Sequence, residues 1–287
     1  MRSAALRAVA DRGAQRLLGP TAWARELAEV DDLLRRRVST SRRLAVVQAH
    51  GGAGATTTVA RAATALARRR SGGVLVVDAA QGDGELARRA GLADPLALAQ
   101  CIGRTAGVVT AAQARRAVPT AASGLHVLGS GTDGPGAPAG PVTPAGWRTA
   151  VDPIGRFFDV VLTDWGVRTD PTDLTEIAAS HHVVAVVARA DRAPAERGLG
   201  AVARLLEAAP RTAVALVLVD VGGTAGPTDR LARRVLTDVG LAVPVHVVAH
   251  ASLTDAPPRR RAGPVAQPAQ LGPARLVGEL LVQGGAR

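Results

Sequence analysis

The 287-residue chain has one cysteine and no tyrosine, lysine or asparagine. Because Cys101 stands alone, the sequence excludes a disulfide framework and a cysteine-rich metal site, and it indicates a reducing, cytoplasmic compartment. Aromatic residues make up only 2% of the chain, so an aromatic platform for stacking nucleic-acid bases is not expected. Apolar runs stay well short of the roughly 18–20 residues that a membrane-spanning helix needs, and we predict no transmembrane segment.

The sequence has an excess of positive charge, all of it on arginine. Its 35 basic residues face 24 acidic ones, which gives a formal net charge of +11. Residues 1–43 contain ten arginines and five acidic residues, and a basic arm of this kind attracts DNA or an anionic membrane surface. The alternative is a solvated arm in a chain that uses arginine throughout.

An amphipathic helix is predicted in this arm, from Thr21, which can cap it, to about Val38. Its apolar stripe recurs at spacings of three and four residues and consists of Trp23, Leu27, Val30, Leu34 and Val38. The stripe either packs on the main domain or, because the helix is basic, serves as a partner or membrane surface. We therefore divide the chain into a basic N-terminal arm with its amphipathic helix, residues 1–41, and a main domain, residues 42–287.

From Arg42 onward, short apolar runs alternate with helical patterns. Residues 44–47 and 74–77 flank a helical stretch from Thr56 to Arg70, and this is the pattern of a βαβ unit. Five further apolar runs lie at residues 124–128, 159–163, 182–187, 214–219 and 243–248. Strands that are apolar on both faces indicate an α/β fold with a mostly parallel, doubly wound sheet of about seven or eight strands and helices on both faces. Residues 129–146 and 256–272 are predicted loops, and a last helix covers about residues 273–282.

A glycine-rich loop between the first strand and the first helix carries the clearest chemistry. Residues 44–58 read LAVVQAHGGAGATTT. Glycines let successive backbone N–H groups converge on a phosphate, and the helix N-terminus adds a favourable field. Thr56 stands where a phosphate-binding loop places the hydroxyl that holds Mg²⁺.

These residues resemble the MinD/ParA family of deviant P-loop ATPases, whose loop reads K-G-G-x-G-K-[ST]-T. Further segments resemble the family's second strand with its acidic end, its Walker B strand and switch region, the strand whose end contacts adenine, and its final strand; they are residues 74–78, 158–166, 214–220 and 241–245. The likeness covers about residues 42–282, and it is greatest to the MinD-like proteins encoded near actinobacterial type VII secretion systems, which also carry an Arg-rich helix before the loop.

The resemblance implies a P-loop NTPase fold that binds ATP or ADP with Mg²⁺ and that forms a homodimer around the nucleotide. The residues that it places at the nucleotide are His50, Gly51, Gly52, Ala53, Gly54, Ala55, Thr56, Thr57 and, at the adenine, Asp220. It places the metal at Thr56, Asp78 and Asp164.

Three departures from the family pattern concern charged groups. Ala55 replaces the loop lysine that binds the β- and γ-phosphates, and His50 replaces the signature lysine that reaches the partner's nucleotide. Ala80 replaces the second aspartate of the family's D-x-D, which is associated with water activation. Because loss of one transition-state donor costs roughly 10²–10³ in rate, we expect weak nucleotide binding with hydrolysis near background. Arg61 or Arg189 could replace part of the lost charge, although neither matches a motif position.

Several residues also have plainer interpretations. Asp164 and Asp78 could be strand-end turn or capping residues, and Asp220 is equally well placed as a turn residue before a pair of glycines. His181 and His182 are adjacent in a predicted strand and point to opposite faces, so a shared metal is not expected.

A dinucleotide-binding Rossmann fold is the competing interpretation of the loop. Gly52 and Gly54 give G-x-G, and Asp78 follows at about the interval of a ribose-binding acid. Thr57, however, occupies the third glycine position, and the strand ending in Asp164 has no role in dinucleotide binding.

Three functions follow from these features. The first is a MinD/ParA-like regulatory, partitioning or scaffolding module with a degenerate site that binds ATP or ADP weakly and hydrolyses it little or not at all. The second is a nucleotide-independent interaction protein, in which the basic helix or the run Arg259–Arg261 recruits DNA, a membrane or an acidic partner. The third is an active ATPase that receives its cation from a partner.

Overall fold

The structure is a computed structural model that describes residues 23–80, 84–105, 107–129, 142–223, 225–250 and 266–285, with side chains omitted for 266–270. Three sequence features lie outside the described residues: the arm at residues 1–20, the predicted helix start at Thr21, and the run Arg259–Arg261. Most of the predicted loop at 129–146 also lies outside them.

One parallel sheet forms the centre of the fold. Its eight strands are β1 Arg42–Gln48, β2 Val74–Asp78, β3 Leu96–Ala97, β4 His126–Gly129, β5 Val160–Val167, β6 Val183–Arg189, β7 Ala213–Asp220 and β8 Val245–Ala249. They are ordered β3-β4-β2-β5-β1-β6-β7-β8, and every recorded strand pair is parallel. The predicted α/β sheet is therefore confirmed, and β3, which has only two residues, is the strand that the apolar pattern missed.

Helices cover both faces of this sheet. They are α1 at residues 23–35, α2 Ala55–Ala67, α3 Glu85–Arg89, α4 Leu98–Thr105, α5 Ala111–Ala117, α6 Pro144–Gly155, α7 Pro171–Ser180, α8 Arg192–Ala208, α9 Gly226–Asp238 and α10 Ala266–Gly285. Alternate β1 residues enter separate cores: Ala45 and Val47 pack with α4 to α9, whereas Leu44 and Val46 pack with α1, α2, α3 and α10. The sheet is thus doubly wound, as predicted.

The helix bounds differ from the prediction at both proposed loops. Helix α6 begins at Pro144 because Thr143 caps it, accepting a hydrogen bond from the Gly146 N–H at 3.1 Å, and proline suits the first helical position. Helix α10 begins at Ala266, before the predicted loop ends at residue 272. Both loop predictions were therefore too long at their C-terminal ends, because glycine and proline composition concealed the helix starts.

The strand order decides between the two interpretations of the glycine loop. In a Rossmann fold the first two strands are neighbours. Here β5 lies between β1 and β2 and pairs with both, and it places Asp164 directly beside Asp78. The Rossmann interpretation is therefore wrong, and the acidic strand end that it could not use stands next to the loop-bearing strand.

Helix α1 packs on the domain through its apolar stripe. Val30 and Leu34 are buried in the same core as α2 and α10. The Arg70 side chain, at the end of α2, donates to the Leu34 carbonyl at 2.6 Å and to the Arg36 carbonyl at 2.8 Å, so it caps the last turn of α1. The packing alternative holds for these stripe residues, although Leu27 stays 41% exposed. Among the described helices, none has the length and apolar character needed to cross a bilayer.

Candidate functional site

The loop after β1 leads into a helix that has no side-chain cap. The cap position of α2 is Gly54, whose φ of 86° lies in the left-handed region, and the first turn of α2 carries no acidic residue. The first bond within the helix runs from the Thr58 N–H to the Gly54 carbonyl at 3.1 Å. The N–H groups of the first turn therefore precede the helical hydrogen-bond ladder, and such a turn attracts an anion.

Two glycines of the loop have distinct reasons to be glycine. Gly52 has a φ of 72°, which side chains rarely adopt, and a Cβ there would enter open space. A Cβ at Gly54 would lie 3.2 Å from Cγ1 of Val219, on β7. The loop is thus folded tightly against the sheet at Gly54 and open at Gly52.

A buried carboxylate faces the start of α2. Asp164 is fully buried on β5, and its Oδ1 accepts a hydrogen bond from the Gly166 N–H at 3.0 Å. Its Oδ2 is also buried and has no hydrogen-bond partner among the described residues. Burial raises the pKa of Asp164, whereas the Thr56 hydroxyl and the Gly166 N–H act in the opposite direction. An unpartnered buried carboxylate oxygen is costly unless a cation or a water satisfies it.

These residues fit a Mg²⁺ ion that is carried in with a nucleotide. Mg²⁺ takes hard oxygen ligands and is commonly held by one or two carboxylates together with phosphate and water oxygens. Thr56, Asp78 and Asp164 would supply the protein's share, because Asp78 is Asp164's neighbour in the sheet register. The described residues include no group of three or more His, Cys, Asp or Glu side chains that could hold a metal ion by themselves, so phosphate and water would have to complete the coordination.

A cleft of about 360 Å³ opens above these residues. It is lined by Gln48, Gly51, Gly52, Thr56, Asp78, Ala80, Glu85, Trp165, Gly166 and Val167. Asp78 and Glu85 contribute carboxylates to this lining, of which that of Glu85 is paired with Arg88 and Arg89, and Asp164 directly precedes the lining residues Trp165 and Gly166. A phosphate chain entering the cleft alone would meet negative charge, so Mg²⁺ is needed to offset the repulsion.

A buried arginine bonds to the residues that follow Asp78 and Asp164; Asp78 ends β2, whereas Asp164 lies within β5, which continues to Val167 and not, as predicted, to residue 163. Arg168 donates to the Trp165 carbonyl at 2.9 Å, to the Ala79 carbonyl at 2.9 Å and to the Val142 carbonyl at 2.8 Å. It also pairs with Asp173 of α7 at 3.0 Å, which favours its charged form although burial lowers its pKa. Because Ala79 follows Asp78 and Trp165 follows Asp164, this guanidinium holds the two carboxylates in register. The sequence pattern gave no sign of this role.

The three departures from the family loop have defined places in the structure. Ala55 is fully buried at the start of α2. Ala80 packs closely against Gly166: a Cβ added to Gly166 would lie only 2.8 Å from the Cβ of Ala80. The exposed His50 ring lies within 2.9 Å of the Gly51 carbonyl, and its Nε2 is 3.4 Å from the Arg189 N–H that points to it. The loop residues predicted from the motif are thus brought together, but with small or neutral side chains at all three positions.

The remaining predicted residues are not among those that line the cleft; they are Asp220, Arg189 and Arg61. Asp220 ends β7, and its Oδ2 accepts a hydrogen bond from the Ala225 N–H at 3.2 Å, as expected of a turn residue; a role at adenine stays a prediction. Arg189 pairs with Asp191 at 3.0 Å. Arg61 lines a separate cavity of about 10 Å³ beside Gly54 and Thr57, which has room for about one water molecule.

His181 and His182 make separate hydrogen bonds within the fold. His181 is buried, its Nδ1 lies 2.8 Å from the Ile177 carbonyl, and burial lowers its pKa to about 3. His182 accepts a hydrogen bond from the Arg43 N–H at 3.0 Å. Each imidazole therefore hydrogen-bonds to a different segment of the chain, His181 to α7 and His182 to β1.

Besides Arg168, two residues of the site were not predicted, and both lie on α3. Glu85 lines the cleft, and hydrogen bonds from Arg89 and then from Arg88 hold its pKa below the ordinary value. Arg89 also donates to the Thr57 hydroxyl at 2.8 Å. The Glu–Arg spacing of four residues is readable in the sequence, but nothing local places α3 against the first turn of α2.

Solved structures with a fold similar to this one include two ATPases and a synthase. The MinD cell division ATPase of Pyrococcus furiosus matches with a TM-score of 0.56 and 18% identity, over 84% of this chain and 98% of that one. A ParA-family ATPase of Chlorobium tepidum matches with a TM-score of 0.55 and 17% identity, over 84% and 97%. A cobyrinic acid a,c-diamide synthase of Mycobacterium smegmatis, solved with bound ADP and magnesium, matches with a TM-score of 0.53 and 19% identity, over 84% and 94%.

These similarities confirm that the chain has a MinD/ParA-like P-loop fold, as the loop motif predicted. No protein-family model matches the chain, and no curated protein sequence matches it.

Proposed function

We propose that this chain is a MinD/ParA-like P-loop protein that binds ATP or ADP weakly with Mg²⁺ and hydrolyses ATP little or not at all. It would act as a regulatory, partitioning or scaffolding module. The observation that carries this proposal is the buried Asp164 carboxylate at the uncapped start of α2: it interacts with the Thr56 hydroxyl, and its Oδ2 has no geometrically good hydrogen bond among the described residues. A metal bound with a nucleotide would satisfy it.

Weak binding and poor turnover have the same cause. Backbone N–H groups, the Thr56 hydroxyl and the acidic strand ends remain, but Ala55 and His50 stand where cationic side chains would neutralise the developing charge of phosphoryl transfer. Each lost transition-state donor costs roughly 10²–10³ in rate. Binding is less sensitive, because the metal and the helix N-terminus still offset phosphate charge.

Isothermal titration with Mg-ADP and Mg-ATP, run beside a phosphate-release assay, tests the proposal. We expect measurable binding with little phosphate release. Thr56→Ala should abolish the binding. Thr175→Ala is the matched control, because its hydroxyl bonds to the Pro171 carbonyl on α7, away from the cleft. Turnover that Thr56→Ala abolishes would contradict the degenerate site, and no binding at all would contradict a nucleotide function.

A homodimer that closes over the cleft is part of this proposal. Val167 and Val221 are 47% and 51% exposed, and both stand at the carboxyl edge of the sheet, where β5 and β7 end. Val167 also lines the cleft, so a second copy that covers the cleft would bury it. Light scattering with and without Mg-ATP tests this, and a monomer under both conditions would contradict it.

A second candidate function, recruitment of a polyanion without nucleotide, has its own structural support. The ends of α1 and α2 meet where Arg70 caps α1, and exposed arginines surround that junction: Arg35, Arg36, Arg37, Arg68 and Arg69. Such a patch favours DNA or an anionic membrane, with affinity that falls steeply as salt rises. Retention of neither DNA nor anionic vesicles at low salt would exclude this candidate. The third candidate, an ATPase completed by a partner's cation, predicts stimulated phosphate release when that partner is added.

A further inference from the structure

Helix α3 brings two arginines to one carboxylate beside the first turn of α2. Arg89 donates from Nε to Oε2 of Glu85 at 2.7 Å, and Arg88 donates to Oε1 of the same carboxylate at 3.2 Å. The Arg88 side chain is 55% exposed, whereas that of Arg89 is 23% exposed. The more buried arginine extends to α2, where its Nη1 donates to the Thr57 hydroxyl at 2.8 Å.

This contact places a guanidinium at the anion-binding turn. Thr57 is the third residue of α2, and the N–H groups at Ala55–Thr57 precede the first helical hydrogen bond. The Thr57 hydroxyl and the Thr57 N–H belong to one residue, so the guanidinium that donates to this hydroxyl lies beside the first turn of α2. A guanidinium has five N–H donors, and Glu85 and Thr57 leave some of them for a ligand.

Arg89 carries the kind of charge that the loop lacks, and it is bonded to Glu85, which lines the cleft. Ala55 supplies no charge, and the chain contains no lysine. Glu85 holds Arg89 in a fixed orientation, and it also shares its negative charge with Arg88, so the cluster is net positive. Arginine suits phosphate recognition because its planar fork matches two phosphate oxygens.

On the basis of the nucleotide site proposed above, we infer that Arg89 binds a phosphate of the nucleotide and supplies from α3 the cation that the loop has lost. The simpler explanation is that Arg89 only ties α3 to α2. The two explanations differ in what Arg89→Ala changes: nucleotide affinity in the first case, and stability alone in the second.

The test is titration of the full chain with Mg-ADP, with melting temperatures measured on the same samples. We expect Arg89→Ala to weaken binding about 10-fold or more, because a charge-assisted hydrogen bond to phosphate is lost. Arg89→Lys should fall between Arg89→Ala and the wild type, since it keeps the charge but not the fork. Arg233→Ala is the matched control, because Arg233 pairs with Asp229 within α9 and belongs to no part of this cluster, and we expect it to change affinity by less than about twofold.

The outcomes distinguish a failure of this inference from a failure of the nucleotide-site proposal on which it rests. Equal Mg-ADP affinity of the wild type and Arg89→Ala would overturn the role of Arg89 and leave the nucleotide site standing. No Mg-ADP binding by the wild type would overturn both. If Arg89→Ala lowers the melting temperature, Arg89→Met, which keeps the aliphatic stem, decides: weakened binding by a stable Arg89→Met supports the inference, and wild-type affinity overturns it.

Discussion

Asp164→Asn should have opposite effects on the free protein and on the Mg-nucleotide complex. The carboxylate is fully buried, and its Oδ2 has no partner among the described residues. An unsatisfied buried polar group costs about 1–3 kcal/mol, and a charged one more. Asparagine keeps an Oδ1 that can accept from the Gly166 N–H and removes the charge, so the metal-free variant should be more stable than the wild type by about 1–3 kcal/mol.

Thermal melting in EDTA and in Mg-ADP measures both effects. For a chain of this size, that gain corresponds to a melting temperature roughly 2–10 °C higher in EDTA. With Mg-ADP the wild type should gain stability by mass action, and Asp164→Asn should not. Asp152→Asn is the control, because Asp152 is an exposed partner of Arg43 and its loss should change stability by about 0.5 kcal/mol or less.

The effect should also depend on pH with a definite sign. Burial raises the pKa of Asp164 in the folded state, so the loss of stability is absent below the ordinary carboxyl range, grows as pH rises from that range to the raised pKa, and is complete above it. The advantage of Asp164→Asn in EDTA should therefore vanish in acid and be fully present at alkaline pH. A metal-free variant less stable than the wild type at neutral pH, or one that Mg-ADP still stabilises, would refute this reasoning.

Three further predictions concern the loop and the charge of the cleft. Gly54→Ala should destabilise the fold by roughly 1–2 kcal/mol in denaturant titrations, because its φ is 86° and its Cβ would press on Val219. Gly107→Ala separates the backbone strain from the contact with Val219, because Gly107 has a similar φ of 78° but open space around it. Ala55→Lys should tighten Mg-ADP binding in calorimetry, about 10-fold if its amine reaches a phosphate, and unchanged affinity would show that the loop does not cradle one. Removing Mg²⁺ with EDTA should abolish ADP binding, because the cleft lining is acidic, and binding that survives EDTA would contradict a metal-dependent site.

Much of the fold could be predicted from the sequence, because buried parallel strands are continuous apolar runs. Seven of the strands were predicted in this way, and the run that became β5 was also assigned its acidic end. The order of the strands was not predictable from the runs, yet it is this order that sets Asp78 beside Asp164. Strand β3 could not be found, since two residues give no periodicity.

The candidate site likewise has residues that local sequence predicts and residues that only the packing of distant segments brings to it. The glycine loop and Thr56 are local features, so spacing alone predicted them. Glu85, Arg89 and Arg168 act through contacts with distant segments: Arg89 lies 32 residues from Thr57, and Arg168 lies 89 residues from Ala79. A helix of five residues and a strand-end arginine have no local signature of such contacts, and only the packing of α3 on α2 and of β5 beside β2 creates them.

Equilibrium dialysis of the purified chain against labelled Mg-ATP, followed by identification of the retained nucleotide, tests the central claim most directly. The account predicts saturable, magnesium-dependent retention in which the bound label is recovered as ATP after long incubation. Recovery of the label as ADP and phosphate, with continued release into the buffer, would contradict it, and so would a chain that retains no nucleotide at any magnesium concentration.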